Sequence, residues 1–252
     1  EVRNMELYAG TLQFNGENLN VKEDLNISKW GGNNTRSNVY LNGKVANVEG
    51  NIGINYGYFR LQGGKLYCDG NLTFNSGYIV MDNETDYVNI GGNLNVIDSN
   101  NGIYTNGILE LKGDFTQSGT GNNFVASGNH KVILSGDKKQ TITFNSTQST
   151  FNTLELNNFS KEGIYVPNGL NAINIIWNGC MVDDGSGGVC GFTLTEDYEV
   201  DGDLYLSTGE MNLNGHNLTV NGNLIHSGGN MNINGGNLHV KGNYYIQKET
   251  QV

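Results

Sequence analysis

The sequence predicts an all-β fold: a single-stranded parallel β-helix, or three-sided solenoid, of about 20–22 residues per coil. Three observations lead to this prediction. A 20-residue repeat begins at Gly202, Gly222 and Gly242, its apolar residues fall in pairs that skip one residue, and turn-forming residues separate the pairs. Parallel strands favour right-handed crossovers, so we expect a right-handed winding.

Each apolar pair marks one predicted strand, because two residues that flank a third point to the same face of a strand. The pairs of the first repeat are Leu204 with Leu206, Met211 with Leu213, and Leu218 with Val220. Three short strands and three corners make one coil, whose inward residues form the core. A single coil buries too little apolar surface to offset the entropy of ordering it, so the coils must stack. We expect Gly and Asn to supply positive φ at the corners.

The same register extends upstream through most of the chain. Further coils begin at Gly50, Gly70, Gly92 and Gly113, at intervals of 20, 22 and 21 residues. We expect an enlarged corner near 30–38 and an irregular, cysteine-containing excursion within 157–200. The prediction is a single solenoid domain over 1–252, as a piece of a longer protein with flanking domains in the same polypeptide.

The charge of the chain bounds its partners. The formal net charge is −11, and there are only three arginines, Arg3, Arg36 and Arg60. Nucleic acids and anionic membranes are bound through basic patches, so we predict no nucleic-acid partner. No apolar run reaches the length of a membrane span, so we predict no membrane insertion.

Three cysteines bear on the compartment. Cys180 and Cys190 bracket the loop sequence MVDDGSGGV. A disulfide between them would tie down the excursion and fit an extracellular protein. The alternative is two separate thiols in the same loop. Cys68 occupies an inward position, where it is expected to be a small core residue.

Outward tyrosines are the candidate carbohydrate-binding residues. Tyr205 and Tyr245 occupy the same outward position in coils two apart, with Ile225 between them. Tyr67 and Tyr165 also point outward by alternation. Aligned rings on a flat sheet can stack against sugar rings. The plainer alternative is that tyrosine simply suits exposed strand positions.

The carboxylates provide no clear catalytic or metal site. A glycosidase needs two opposed carboxyl groups about 5–9.5 Å apart, and the candidates would be Asp183 with Asp184, or Asp197 with Asp201 and Asp203. Each stands at a corner or in a polar turn, where Asp accepts hydrogen bonds from turn amides. We therefore predict no catalytic residue, no metal site and no cofactor. A weak Ca²⁺ site at Asp201 and Asp203 is the one alternative.

The stretch from Gly202 to Gln247 resembles a repeat of secreted or cell-surface bacterial β-solenoid proteins. The resemblance depends on GDLYL, LNGHNLTVNGNLIHSGG and MNINGGNLHVKGNYYIQ, and upstream on HKVILSGDKKQTITF and FNTLELNN. Such GNL-type repeats are similar in outline to those of filamentous, adhesin-like proteins. The resemblance implies an extracellular, non-catalytic structural and interaction rod, with polysaccharide or host-surface components as partners. The alternative is a carbohydrate-active β-helix enzyme, either a polysaccharide lyase or a glycoside hydrolase.

Overall fold

The computed structural model confirms the predicted fold class. It describes residues 1–16, 18–29, 36–98, 102–119, 123–167, 170–178, 180, 182–183, 192–194, 196–207 and 209–247. The described residues form only β-structure, with parallel strands stacked as a β-solenoid of about 10 turns. Among them there is no helix of the length and apolarity that crossing a membrane requires. The chain divides into two compact units, 1–132 with 144–152 and 133–143 with 153–252.

The strands are short, and most have two to four residues. The first eight are β1 (Met5–Leu7), β2 (Thr11–Gln13), β3 (Leu19–Val21), β4 (Leu25–Ile27), β5 (Ser37–Tyr40), β6 (Val45–Val48), β7 (Ile52–Asn55) and β8 (Gly57–Arg60). The next eight are β9 (Lys65–Cys68), β10 (Leu72–Asn75), β11 (Tyr78–Met81), β12 (Tyr87–Ile90), β13 (Leu94–Ile97), β14 (Ile103–Tyr104), β15 (Ile108–Leu111) and β16 (Phe115–Ser118).

The remaining strands complete the second half of the chain. They are β17 (Lys131–Leu134), β18 (Gln140–Phe144), β19 (Phe151–Leu156), β20 (Ile164–Tyr165), β21 (Ala172–Trp177), β22 (Val182–Asp183), β23 (Phe192–Thr193) and β24 (Tyr198–Val200). The last seven are β25 (Leu204–Leu206), β26 (Glu210–Asn212), β27 (Asn217–Val220), β28 (Leu224–His226), β29 (Asn230–Asn232), β30 (Asn237–Val240) and β31 (Tyr244–Ile246).

In the first unit every third strand pairs in parallel, which is the pattern of a coil with three strands, whereas the second unit reaches this spacing only in its last coils. The first unit has the sheets β1-β4-β7-β10-β13-β16, β2-β5-β8-β11-β14 and β3-β6-β9-β12-β15. The second has β18-β20-β22-β23-β26-β29, β21-β25-β28-β31 and β24-β27-β30. Leu204 pairs with Leu224 and Leu224 with Tyr244, which confirms that the repeats stack in one file. The hand of the winding stays a prediction.

Coil length varies with the corners. Ile52 pairs with Leu72, 20 positions along the chain, whereas Leu25 pairs with Ile52, 27 positions along. Residues 30–35 of the predicted enlarged corner lie outside the described residues, and Ser37 and Asn38 already belong to β5. Strands β20 to β24 of the predicted excursion pair within the sheets of the second unit. The single domain over 1–252 stays a prediction.

Alternation along each strand builds the core. Leu72 and Phe74 of β10 are fully buried, and Thr73 between them is partly exposed. The same buried–exposed–buried pattern runs through β4, β7, β13 and β25. Burying apolar side chains in a file, coil upon coil, gives each coil the partners that it lacks alone.

A ladder of side-chain amides and carboxylates explains the repeated Gly-Asn and Gly-Asp pairs. In eight steps between successive coils, a side-chain Oδ1 accepts a hydrogen bond from the backbone N–H of the equivalent residue in the next coil, at 2.6–3.1 Å. The first unit's ladder comprises Asn4, Asp24, Asn51, Asn71, Asn93 and Asp114. The second unit's ladder comprises Asn174, Asp203, Asn223 and Asn243. The ladder satisfies backbone donors that a corner would otherwise leave unpaired.

Seven of the ten ladder residues follow a glycine, and this glycine is needed for clearance, so the expectation of positive φ is wrong at this corner. Gly70 and Gly92 lack positive φ, and the Gly92 N–H donates to the Gly70 carbonyl at 2.9 Å. A Cβ on Gly92 would lie 2.7 Å from the backbone carbonyl of Gly70. Positive φ does occur at other corners, where Asn42 and Asn214 adopt it.

Replacing Gly92 by alanine is therefore expected to lower the free energy of unfolding by about 1–3 kcal/mol, the usual cost of overpacking. The added Cβ meets backbone atoms of the preceding coil, which cannot rotate away as a side chain would. Urea unfolding followed by circular dichroism measures the change. Gly16→Ala is the matched control, because a Cβ at Gly16 meets no atom within 4 Å. Equal destabilisation by the two substitutions would contradict the clearance argument.

Candidate carbohydrate-binding surfaces

The structure places Tyr205 and Tyr245 in one outward file, as the sequence predicts. On neighbouring strands β25, β28 and β31, Tyr205 pairs with Ile225 and Ile225 with Tyr245. Tyr205 is 37% exposed and Tyr245 is 48% exposed, and Ile225 is half-buried between them. We name these three residues the tyrosine file. Adjacent strands lie about 4.8 Å apart, so the two tyrosines are about 10 Å apart along the file.

The strand that carries Tyr245 is fastened by a second tyrosine. The Tyr244 hydroxyl lies 2.9 Å from His226 Nδ1, and the two rings stack with their centroids 6.2 Å apart. His226 Nε2 lies 3.2 Å from the carbonyl oxygen of Gly229, which can only accept. In the neutral tautomer that donates from Nε2 to this carbonyl, Nδ1 accepts a hydrogen bond from the Tyr244 hydroxyl. This pair holds β28 and β31 together beneath the tyrosine file.

The other two predicted tyrosines do not join the tyrosine file. Tyr67 lies in β9 of the first unit, with its ring centroid 5.8 Å from that of Tyr87. Tyr165 lies in β20, on a different sheet of the second unit from β25 and β31. The Lys139 ammonium lies 4.2 Å from the centroid of the Tyr165 ring. Within the second unit, Tyr205 and Tyr245 lie on the same sheet and Tyr165 does not.

Asp197 is held in a ladder of its own. Its carboxylate accepts hydrogen bonds from the backbone and side-chain nitrogens of Asn217, both at 2.8 Å. These bonds keep the pKa of Asp197 below its ordinary value. Asp197 and Glu199 line a groove of about 420 Å³ together with His239. A general acid for glycoside hydrolysis needs a raised pKa, and Asp197 has the opposite shift.

Among the remaining predicted carboxylates, Asp203 belongs to the ladder of Asn and Asp side chains at the corner. Oδ1 of Asp203 accepts the backbone N–H of Asn223 at 2.6 Å, and Asp201 is exposed. Asp183 lies in β22, and Asp184 lies outside the described residues. Over the described ranges no group of three or more His, Cys, Asp or Glu side chains could hold a metal ion. The weak Ca²⁺ site and the enzyme alternative stay predictions.

Cys180 is a buried thiol. Burial raises its pKa to about 11. Cys190 lies outside the described residues, so its pairing with Cys180 stays a prediction. Cys68 is buried at the inward position that the sequence predicts, and burial raises its pKa to about 12.

The first unit carries a second aromatic surface, which was not predicted from the sequence. On the sheet β2-β5-β8-β11-β14, three tyrosines and two arginines contact one another. We name this group the Tyr–Arg surface; it comprises Arg36, Tyr40, Tyr58, Arg60 and Tyr78. The alternation of each strand predicts that most of these side chains point outward, but their neighbours depend on coil lengths that differ along the chain.

The chain matches no protein-family model, no curated protein and no solved structure. The resemblance to adhesin-like repeats is therefore a prediction that depends on the repeat pattern alone.

Proposed function

We propose that this chain is a non-catalytic interaction module of a bacterial secreted or cell-surface protein, and that it binds carbohydrate at the tyrosine file. The tyrosine file carries the proposal: two exposed tyrosines stand two strands apart on one parallel sheet, with one half-buried isoleucine on the strand between them. Backbone hydrogen bonds between the parallel strands fix the spacing of Tyr205 and Tyr245 along the file, so little backbone entropy is lost when a ligand binds.

The chemistry of a sugar polymer suits this surface. A tyrosine ring offers an apolar face and a hydroxyl tip, which match the C–H face and the hydroxyl groups of a sugar ring. A polymer that lies along the tyrosine file meets one aromatic ring about every 10 Å. Two such contacts give weak binding that increases when many copies of the module are displayed on one surface.

Replacing Tyr205 and Tyr245 together by alanine is expected to weaken polysaccharide binding about 5- to 150-fold, since each aromatic contact contributes about 0.5–1.5 kcal/mol. Affinity electrophoresis in gels containing hydroxyethylcellulose, xylan or mannan measures the retention. The double replacement by phenylalanine is expected to keep most of it, because the rings remain.

Tyr8→Ala provides the matched control, because Tyr8 is 43% exposed but lies in the first unit, outside the tyrosine file. If the parent chain is not retained by any of the three polymers, or the double alanine variant is retained as strongly as the parent, the proposal is wrong. Release of new reducing ends from the polymer would instead favour the enzyme alternative.

A further inference from the structure

The Tyr–Arg surface is built from side chains that come from successive coils. Strand register places Tyr58 between Asn38 and Tyr78, and Tyr40 directly beside Arg60. The rings of Tyr58 and Tyr78 lie 4.3 Å apart between centroids. Tyr78 is only 8% exposed, so Tyr40 and Tyr58, which are half-buried, are the tyrosines that this surface presents to a ligand.

Both arginines lie over tyrosine rings. The Arg60 guanidinium lies 5.7 Å from the Tyr40 centroid and 5.4 Å from the Tyr58 centroid. The Arg36 guanidinium lies 4.9 Å from the Tyr58 centroid on the same surface. These distances fall within the range of cation–π attraction. The rings thus hold two positive charges in place without neutralising them.

No carboxylate neutralises them either, as far as the described residues extend. Neither Arg36 nor Arg60 forms an ion pair there, whereas Arg3 pairs with Glu23 at 2.5 Å. Arg60 Nε is buried and has no hydrogen-bond partner. In a chain with 25 acidic and 14 basic residues, two of the three arginines therefore share one surface on which their charge is unpaired.

We propose that the Tyr–Arg surface binds a carboxylate-bearing polysaccharide, a polymer of uronic acid residues. A guanidinium presents parallel N–H donors that match the two oxygens of a carboxylate, and a site that already holds the guanidinium in position loses little entropy on binding. The tyrosine hydroxyls supply neutral hydrogen-bonding groups for the sugar hydroxyls beside each carboxylate. This surface lies in the first unit and selects charge, so it goes beyond the neutral stacking proposed for the tyrosine file.

Single-stranded nucleic acid fits this surface less well. Its binding depends on open aromatic faces on which bases stack. Here Tyr58 and Tyr78 contact each other, and Tyr40 and Tyr58 lie beneath guanidinium groups. Base stacking would have to displace these contacts, whereas hydrogen bonding to a polymer rich in hydroxyl groups would not.

The test compares binding of the full chain to alginate, whose sugars carry carboxylates, and to its propylene glycol ester, in which they are blocked. We expect retention by alginate in affinity electrophoresis at low salt, weaker retention near 0.15 M salt because of screening, and little retention by the ester. Arg36→Gln with Arg60→Gln is expected to weaken alginate binding at least about tenfold, since bonds to a charged partner are the strong ones.

Arg3→Gln is the matched control, because it removes one arginine outside the Tyr–Arg surface, and its binding should equal that of the parent. Arg36→Lys with Arg60→Lys keeps both charges, and weaker binding by this pair of substitutions supports recognition by the guanidinium fork. The lysine pair also serves if the glutamine pair does not fold.

The proposal is wrong if the parent does not bind alginate, or if it binds the ester as strongly as alginate. It is also wrong if Arg36→Gln with Arg60→Gln leaves alginate binding unchanged, or if the parent binds dextran sulfate or single-stranded DNA more tightly than alginate. The readout is independent of the tyrosine file, because Tyr205→Ala with Tyr245→Ala should leave alginate binding at the Tyr–Arg surface unchanged.

Discussion

Replacing Phe115 by alanine is expected to lower the free energy of unfolding by about 3–5 kcal/mol, the usual cost of removing a buried phenylalanine ring. Phe115 is fully buried in the first unit, and its ring centroid lies 5.4 Å from that of Phe124 and 4.9 Å from those of Phe144 and Phe151. Each of these rings is fixed by the others and by strand register, so they cannot collapse into the cavity. Urea unfolding followed by circular dichroism measures the loss.

Phe159→Ala is the control for the Phe115 substitution, because the Phe159 side chain is 63% exposed and the chemical change is identical. We expect its free energy of unfolding to stay within about 0.5 kcal/mol of the parent value, as for other surface substitutions. A Phe115→Ala variant as stable as Phe159→Ala would show that this aromatic cluster does not hold the first unit together.

The stability of the chain is also expected to fall in acid because of His130. Burial between Tyr104 and Phe124 lowers the pKa of His130 from 6.5 to about 4, and neither ring nitrogen has a hydrogen-bond partner. Between these values the unfolded chain binds a proton that the folded chain does not. This loss of stability is therefore absent above about pH 6.5 and grows as the pH falls. It reaches about 3 kcal/mol near pH 4, at 1.36 kcal/mol per unit of pKa difference between the folded and unfolded chain.

His130→Phe removes this titration and fills the same apolar site. We expect the stability difference between parent and variant to widen in favour of the variant from pH 7 to pH 4, when each is unfolded in urea at a series of pH values. His239→Phe makes the same change at an exposed position and should follow the parent curve. Parallel curves for the parent and His130→Phe would contradict the assigned pKa.

The neighbours within the Tyr–Arg surface, and the coil lengths that bring the ladder of Asn and Asp side chains into line, could not be predicted from the sequence. Tyr40 and Arg60 are 20 positions apart, and Leu25 and Ile52 are 27 apart, yet each pair occupies neighbouring register positions. A shift of one residue in any corner would change these partners, because strand register sets which side chains meet. The reason for the coil-start glycines also follows only from the distance between coils.

The sequence by itself determined the period, the strands of most coils and the inward side chains, because each coil repeats the same local alternation between turn-forming residues. Leu204, Leu224 and Tyr244 could be aligned without coordinates for that reason. Only the tertiary structure decided which outward side chains become neighbours, which glycines meet a backbone carbonyl, and which arginines lack an acidic partner. Those contacts depend on corner lengths summed over whole coils, and no local pattern encodes such a sum.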